Sequence, residues 1–287
     1  MYYFLLAILL LTIYVWQKFR RTRTWRPGHR ALLVTAHPDD ESLFFAPYLT
    51  RALQAGIQVH ILCLSTGNAD GLGSIRAREL VQACAVFQVP EQRVRLVNDG
   101  ALQDGFQAWD EGAVKARVAA ALAAVRPHEL VTFDAGGVSG HPNHTSIYAA
   151  VWRLVGCRGL SASQGDGHEG GVAGSDGSNR GSNRNGDSCC RICTLVTHPL
   201  PLKFTGVLGA ALVLLLSSVR LHGRSADVRL HDSAADTALL LSSANPVVGL
   251  RAMWCHRSQF VWYRWLFVLF STYTYVNQFR VIGAVTY

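Results

Sequence analysis

From residue 31 the chain alternates short apolar runs with longer amphipathic stretches. ALLVTA (31–36) is apolar almost throughout, which predicts a strand buried on both faces, and it ends at a His-Pro. ESLFFAPYLTRALQA (41–55) opens on Glu41 and is followed by Gly56, so it predicts a helix. IQVHILCL (57–64) predicts the next strand, closed by Thr66-Gly67-Asn68. Helical spacing resumes near Ser74, with Leu80, Cys84 and Phe87 on one face, and stops at Pro90 before the short strand VRLV (94–97). Val114, Val118, Leu122 and Val125 form a helical stripe ended by Pro127. ELVTFD (129–134) predicts another strand, then a Gly-rich loop and a helix from about Asn143 to Leu154. Short strands alternating with helices predict an α/β, Rossmann-like fold, a mainly parallel sheet flanked by helices. In such sheets binding sites gather at the carboxyl ends of the strands.

Residues 156–189 break this pattern. They are rich in Gly, Ser, Asn and Asp with little to bury, which predicts a disordered low-complexity insertion. CTLVTHPLPL (193–202) and ALLLSS (238–243) then predict strands, and Asn245-Pro246 opens a helix reaching Met253. VLGAALVLLL (207–216) is too short to span a bilayer; it reads as a buried helix, with a membrane-contacting helix as the alternative. The tail 258–279, dense in Trp, Tyr and Phe, fits an interfacial aromatic belt better than a membrane span.

The amino terminus changes the picture. Residues 2–16 are uncharged and nearly all apolar, and a basic segment follows at once. Charges after the apolar run and no small-residue cleavage site argue against a signal peptide, and predict a transmembrane anchor over 1–17 with the rest in the cytosol. Residues 18–30 read as a basic juxtamembrane linker and 31–280 as the folded domain. The formal charge of +8 is concentrated here, in Lys18, Arg20, Arg21, Arg23, Arg26 and Arg30. That leaves +2 for the remainder, so the basicity suits anionic headgroups and speaks against nucleic acid. Seven scattered cysteines, an odd number, suggest reduced thiols, and Cys190-x-x-Cys193 lacks a matching pair for a metal finger.

The chemistry lies in two clusters. His37-Pro38-Asp39-Asp40-Glu41 follows the first strand, and His141-Pro142-Asn143-His144 follows the strand ending near Asp134. Three adjacent carboxylates beside a histidine repel one another unless a cation offsets them. Two His and a carboxylate around an open position is a hydrolytic zinc arrangement.

AHPDDE (36–41) and TFDAGGVSGHPNH (132–144) resemble the LmbE-type deacetylases. The longer string, and CHRSQFVWYRWLFVLFS (255–271), are similar to the eukaryotic branch, the N-acetylglucosaminylphosphatidylinositol de-N-acetylases of the glycosylphosphatidylinositol pathway. The resemblance implies hydrolysis of an N-acetylglucosaminyl-phosphatidylinositol substrate to the glucosaminyl lipid and acetate. It implies His37, Asp40 and His144 as ligands for Zn2+, with Fe2+ as another candidate ion. It further implies Asp39 as general base and His141 as oxyanion stabiliser and later proton donor to the amine, with Asp134 orienting His141. Arg76, or Arg78, could meet a substrate phosphate, and His256 could help close the site. It also implies an endoplasmic reticulum membrane location, with no obligate protein partner evident. Two rival readings remain: a same-fold deacetylase of a soluble N-acetylglucosamine conjugate, and a non-catalytic membrane adaptor.

Overall fold

The computed structural model describes residues 25–26, 28–156, 189–222, 238–243 and 245–286. The expected anchor (1–17), most of the juxtamembrane linker and most of the 156–189 insertion lie outside these residues. Among the described residues no helix is long and apolar enough to cross a membrane.

The chain begins with β1 (Arg30–Thr35), α1 (Asp40–Phe44), α2 (Ala46–Gln54), β2 (Gln58–Cys63), α3 (Gly73–Val86) and β3 (Val94–Leu96). It continues through α4 (Glu111–Val125), β4 (Glu129–Phe133), α5 (Pro142–Gly156) and β5 (Cys189–Leu195). The last part holds α6 (Gly206–His222), β6 (Ala238–Ser242), α7 (Pro246–Cys255), α8 (Arg264–Phe270) and β7 (Val276–Thr286). The strands form one sheet in the order β3-β2-β1-β4-β5-β7-β6. Pairing is parallel from β3 across to β5, and β7 runs antiparallel to both β5 and β6. The sheet is therefore mainly parallel, as the alternating pattern predicts. Leu32, Leu33 and Val34 are all buried because helices cover both faces, which is why β1 reads as a continuous apolar run.

Four expectations need correction. The single helix over 41–55 is two, broken at Phe45 (φ −116°, ψ 8°). Pro47 has no N–H to donate to the carbonyl of Leu43, and its ring disfavours helical backbone just before it. The 207–216 helix is longer than expected and only half buried: Ala210, Val213 and Leu214 pack inward, while Leu208, Leu212 and Leu216 stay exposed. The aromatic tail does not end the fold. It gives α8 and then leads into β7, which extends the sheet past residue 280 to Thr286. At the other end Trp25 packs edge-on against Tyr48 at 6.1 Å, and Arg30 already belongs to β1, so the end of the expected linker is part of the domain. Cys190 and Cys193 are both buried on β5.

After β1 the chain adds β2 and β3 on one side, and β4 then forms on the other side of β1. The gap beyond the carboxyl ends of β1 and β4 is thus a topological switch point, where α/β sheets leave a crevice. Both histidine clusters emerge there.

Candidate active site

The turn after β1 is built around Asp40. Its Oδ2 accepts from the backbone N–H groups of Ala36 and His37, both at 2.9 Å, which folds the loop back on the start of α1. Its Oδ1 points across the crevice to His144 Nε2 at 3.3 Å. Burial alone would raise the Asp40 pKa. When protonated, the facing His144 and His37 outweigh burial and hold the carboxyl well below its usual range.

His144 enters from the first turn of α5. It stacks flat on Phe133 at 4.0 Å, and its Nδ1 lies 2.9 Å from the Gly137 carbonyl oxygen. That carbonyl can only accept, so Nδ1 carries the hydrogen and Nε2 presents a lone pair. His144 Nε2 is buried and has no hydrogen-bond partner. An orphaned, correctly oriented imidazole nitrogen beside an ionised carboxylate is a fit for a metal ligand. His37 completes the set: ligand atoms of His37, Asp40 and His144 all lie within 4.8 Å of one another. His37 Nε2 is held by Asn143 Oδ1 at 2.9 Å and Asp104 Oδ1 at 3.0 Å, while Nδ1 faces Asp40 Oδ2 at 3.9 Å.

Asp39 sits beside this group in left-handed backbone (φ 114°, ψ −23°), a conformation that costs about 1–3 kcal/mol for a residue with a side chain. Its N–H donates to Glu41 Oε2 at 3.1 Å, and Glu41 Oε1 in turn meets His256 Nε2. The Asp39 carboxylate lies 3.6 Å from Arg76 Nη2 and 3.7 Å from Arg264 Nη2. Burial raises its pKa above the usual carboxylate range, opposed by those two guanidiniums.

His141 lies across the cleft, with its ring centroid 5.0 Å from those of both His37 and His144. Burial, helped by the two neighbouring imidazoles, lowers its pKa to about 4, so the ring is neutral near pH 7. The Asn143 N–H donates to His141 Nδ1 at 3.3 Å, which leaves Nε2 as the N–H donor. Asp134 does not orient it. The Asp134 carboxylate accepts from the Thr197 hydroxyl (2.5 Å), the Thr197 N–H (2.7 Å) and the Gly136 N–H (3.0 Å), tying the loop after β4 to the one after β5.

Arg76 is no solvated helix residue. Only 5% exposed, it donates to the carbonyls of Gly67 (2.8 Å) and Pro38 (2.7 Å) and to Asp104 Oδ2 (3.2 Å), clamping three loops together. Gly67, in left-handed backbone, makes this possible, since a Cβ there would collide with the guanidinium. Arg78 is exposed. Asp104 and Arg264, which sequence reasoning passed over, also build the site, and so do Glu41 and Asn143, which it named within the two clusters without giving them a role. Asp104 hangs from the loop after β3, another parallel strand, and its place at a strand's carboxyl end was the available signal. His37, Asp40, Arg76, Asp104, His141, His144, Arg264 and Phe267 line a cleft of about 290 Å³.

Known proteins are similar to this chain. The family model described as PIG-L, GlcNAc-PI de-N-acetylase, matches residues 32–155. The probable N-acetylglucosaminyl-phosphatidylinositol de-N-acetylase of Schizosaccharomyces pombe is 47% identical over 128 residues, 43% of this chain and about half (51%) of that protein. The N-acetylglucosaminyl-phosphatidylinositol de-N-acetylase of Bos taurus is 32% identical over 256 residues, 89% of this chain and 84% of that one. Among solved structures, N,N'-diacetylchitobiose deacetylase from Pyrococcus horikoshii superposes with a TM-score of 0.53 at 15% identity, covering 89% of this chain and 84% of that one, a likeness of fold. With the bovine relative matched along most of both chains, the protein belongs to the family of N-acetylglucosaminyl-phosphatidylinositol de-N-acetylases.

Proposed function

We propose that the protein hydrolyses the acetamide of N-acetylglucosaminyl-phosphatidylinositol, giving acetate and glucosaminyl-phosphatidylinositol, an early step in building glycosylphosphatidylinositol anchors. The observation that carries the reading is the orphaned Nε2 of His144 facing Asp40 and His37, with the carboxylate of Asp39 beside them. His37, Asp40 and His144 would hold a divalent cation, Zn2+ or alternatively Fe2+. Such an ion supplies a Lewis acid for the amide carbonyl and lowers the pKa of water.

Asp39 takes a proton from the attacking water, and its burial-raised pKa suits that work near neutrality. His141 donates from Nε2 to the oxyanion as the carbonyl becomes tetrahedral. When the C–N bond breaks, the amine needs a proton. A neutral His141 with a pKa of about 4 is a poor source, so the proton held by Asp39 goes to the amine. Arg76 keeps the loops in register. Arg264, partly exposed at the cleft, is the cation better able to approach the substrate's phosphate.

A single amino-terminal anchor in the endoplasmic reticulum membrane, with the domain on the cytosolic side, suits a substrate that stays in the bilayer. The assay is acetate release from N-acetylglucosaminyl-phosphatidylinositol in detergent by metal-loaded protein. Turnover supports the reading, and a metal-loaded protein that releases no acetate overturns it.

A further inference from the structure

The exposed face beside the cleft is apolar where a surface helix should be polar. Leu208, Leu212 and Leu216 of α6 are 58%, 45% and 49% exposed, and residues 206–219 contain no charged side chain. Next to α6, the turn before α8 and α8 itself expose Trp262 (76%), Trp265 (48%) and Phe270 (50%). The two helices join edge to edge, with Phe204 packed on Phe267 at 5.4 Å and the Gly206 turn against Leu269 and Phe270. Phe267 and Arg264 line the cleft, so this surface begins at its rim. Contiguous apolar surface of this kind is uncommon on a monomer and marks a contact.

We infer that this α6–α8 surface docks flat onto a lipid bilayer and turns the cleft towards the headgroups. Three features select a bilayer over another protein. α6 runs 17 residues, about 25 Å, and its inner face is committed to Val276 and Tyr275, so it can lie in the interface but not cross it. The exposed aromatics include tryptophans, whose apolar rings and N–H groups suit the depth of the headgroups. The charge is also one-sided: residues 189–222 and 238–287 contain seven Lys and Arg and no Asp or Glu. Of these, Arg251 and Arg257 are exposed, and Trp254 between them in sequence, itself 62% exposed, packs at 5.1 Å on Phe260 in the turn leading to Trp262, so an anionic lipid surface complements them.

The meaning of the contact for turnover rests on the substrate being a lipid, as proposed above; the contact itself does not. Two readouts separate the two. The full chain is reconstituted in phosphatidylcholine–phosphatidylserine vesicles containing brominated phosphatidylcholine, and the quenched fraction of tryptophan fluorescence is compared with that of the Trp262→Ser/Trp265→Ser variant. If both rings sit in lipid, removing them lowers the quenched fraction. An unchanged or higher fraction overturns the inference and leaves the surface to a protein segment, such as the apolar residues 2–16. The second readout is acetate release from lipid substrate in the same vesicles and from the lipid-free glycan phosphate. Leu208→Glu/Leu212→Glu should cut vesicle turnover roughly tenfold or more while the soluble substrate is unaffected. Equal turnover on vesicles overturns the inference. If the wild type turns over neither substrate, the proposed reaction fails, and the quenching alone decides the docking.

Discussion

His256 and Glu41, 215 residues apart in the chain, meet at 2.6 Å between Nε2 and Oε1, and neither has any exposed side-chain surface. The other Glu41 oxygen accepts the N–H of Asp39, the residue in left-handed backbone beside the metal-ligand candidates. A histidine on the far side of the sequence thereby braces the turn that carries the proposed general base, Asp39. Glu41 has a second short contact, from the Ser42 hydroxyl at 2.6 Å.

Removing His256 should be costly because it leaves a buried carboxylate short of its cationic partner. His256→Ala is expected to lower unfolding stability by about 3–5 kcal/mol. His256→Gln, which can still donate to Glu41, should lose only about 1–2 kcal/mol. Urea unfolding of both variants measures this, and equal losses would contradict the pairing.

Asp104 is expected to tune metal affinity without being needed for the fold. It accepts from His37 Nε2, which directs Nδ1 towards Asp40. Asp104→Ala should weaken metal binding by about 10–100-fold, the usual consequence of losing a partner that orients a ligand. Competition with a metal chelator reads this directly. Unchanged affinity would show that Asn143 orients His37 alone.

Gly67→Ala should act through Arg76. The new methyl must occupy the guanidinium's place, in left-handed backbone that itself costs about 1–2 kcal/mol for a residue with a Cβ. The clamp on the Pro38 carbonyl then opens, and kcat/KM should fall by about 10²-fold. Arg76→Ala should fall similarly, and the double variant should be little worse than either single one. Additive losses in a double-mutant cycle would contradict this coupling.

The pH dependence of stability has an identified contributor in His198. It is buried, its Nε2 has no hydrogen-bond partner, and its ring lies 5.4 Å from Tyr273. Burial, aided by Lys203 and opposed by Asp134, lowers its pKa from 6.5 to about 4. The unfolded chain therefore binds a proton between pH 6.5 and 4 that the folded chain refuses. Stability from this group is complete above pH 6.5 and lost by about pH 4, by up to roughly 3 kcal/mol. His198→Phe should flatten that slope in urea midpoints measured from pH 7 to 4.

The two histidine clusters were legible because their spacing is local and each follows an obvious strand. Their partners were not. Asp104 sits in a polar loop, DGALQDGFQAWD, and its place beyond a strand's carboxyl end is a signal it shares with Asp99 and Asp110. Arg264 lies inside the aromatic tail, and only the return of the chain through α8 brings it to Asp39. β7 escaped notice because β-branched and aromatic residues serve a strand and a membrane interface equally well. Asp134 misled in another way. The family resemblance implies that it orients His141, yet the loop after β5 supplies Thr197, whose N–H and hydroxyl satisfy the carboxylate first.

In the proposed mechanism Asp39 moves the proton while His144 holds the metal. The most direct measurement is bound metal and acetate release, determined in parallel for the wild type, Asp39→Asn and His144→Ala. Asp39→Asn should keep its metal and lose about 10²–10⁴-fold in kcat, whereas His144→Ala should lose metal and turnover together. An Asp39→Asn enzyme at wild-type rate, or a His144→Ala enzyme that retains both metal and turnover, would contradict it.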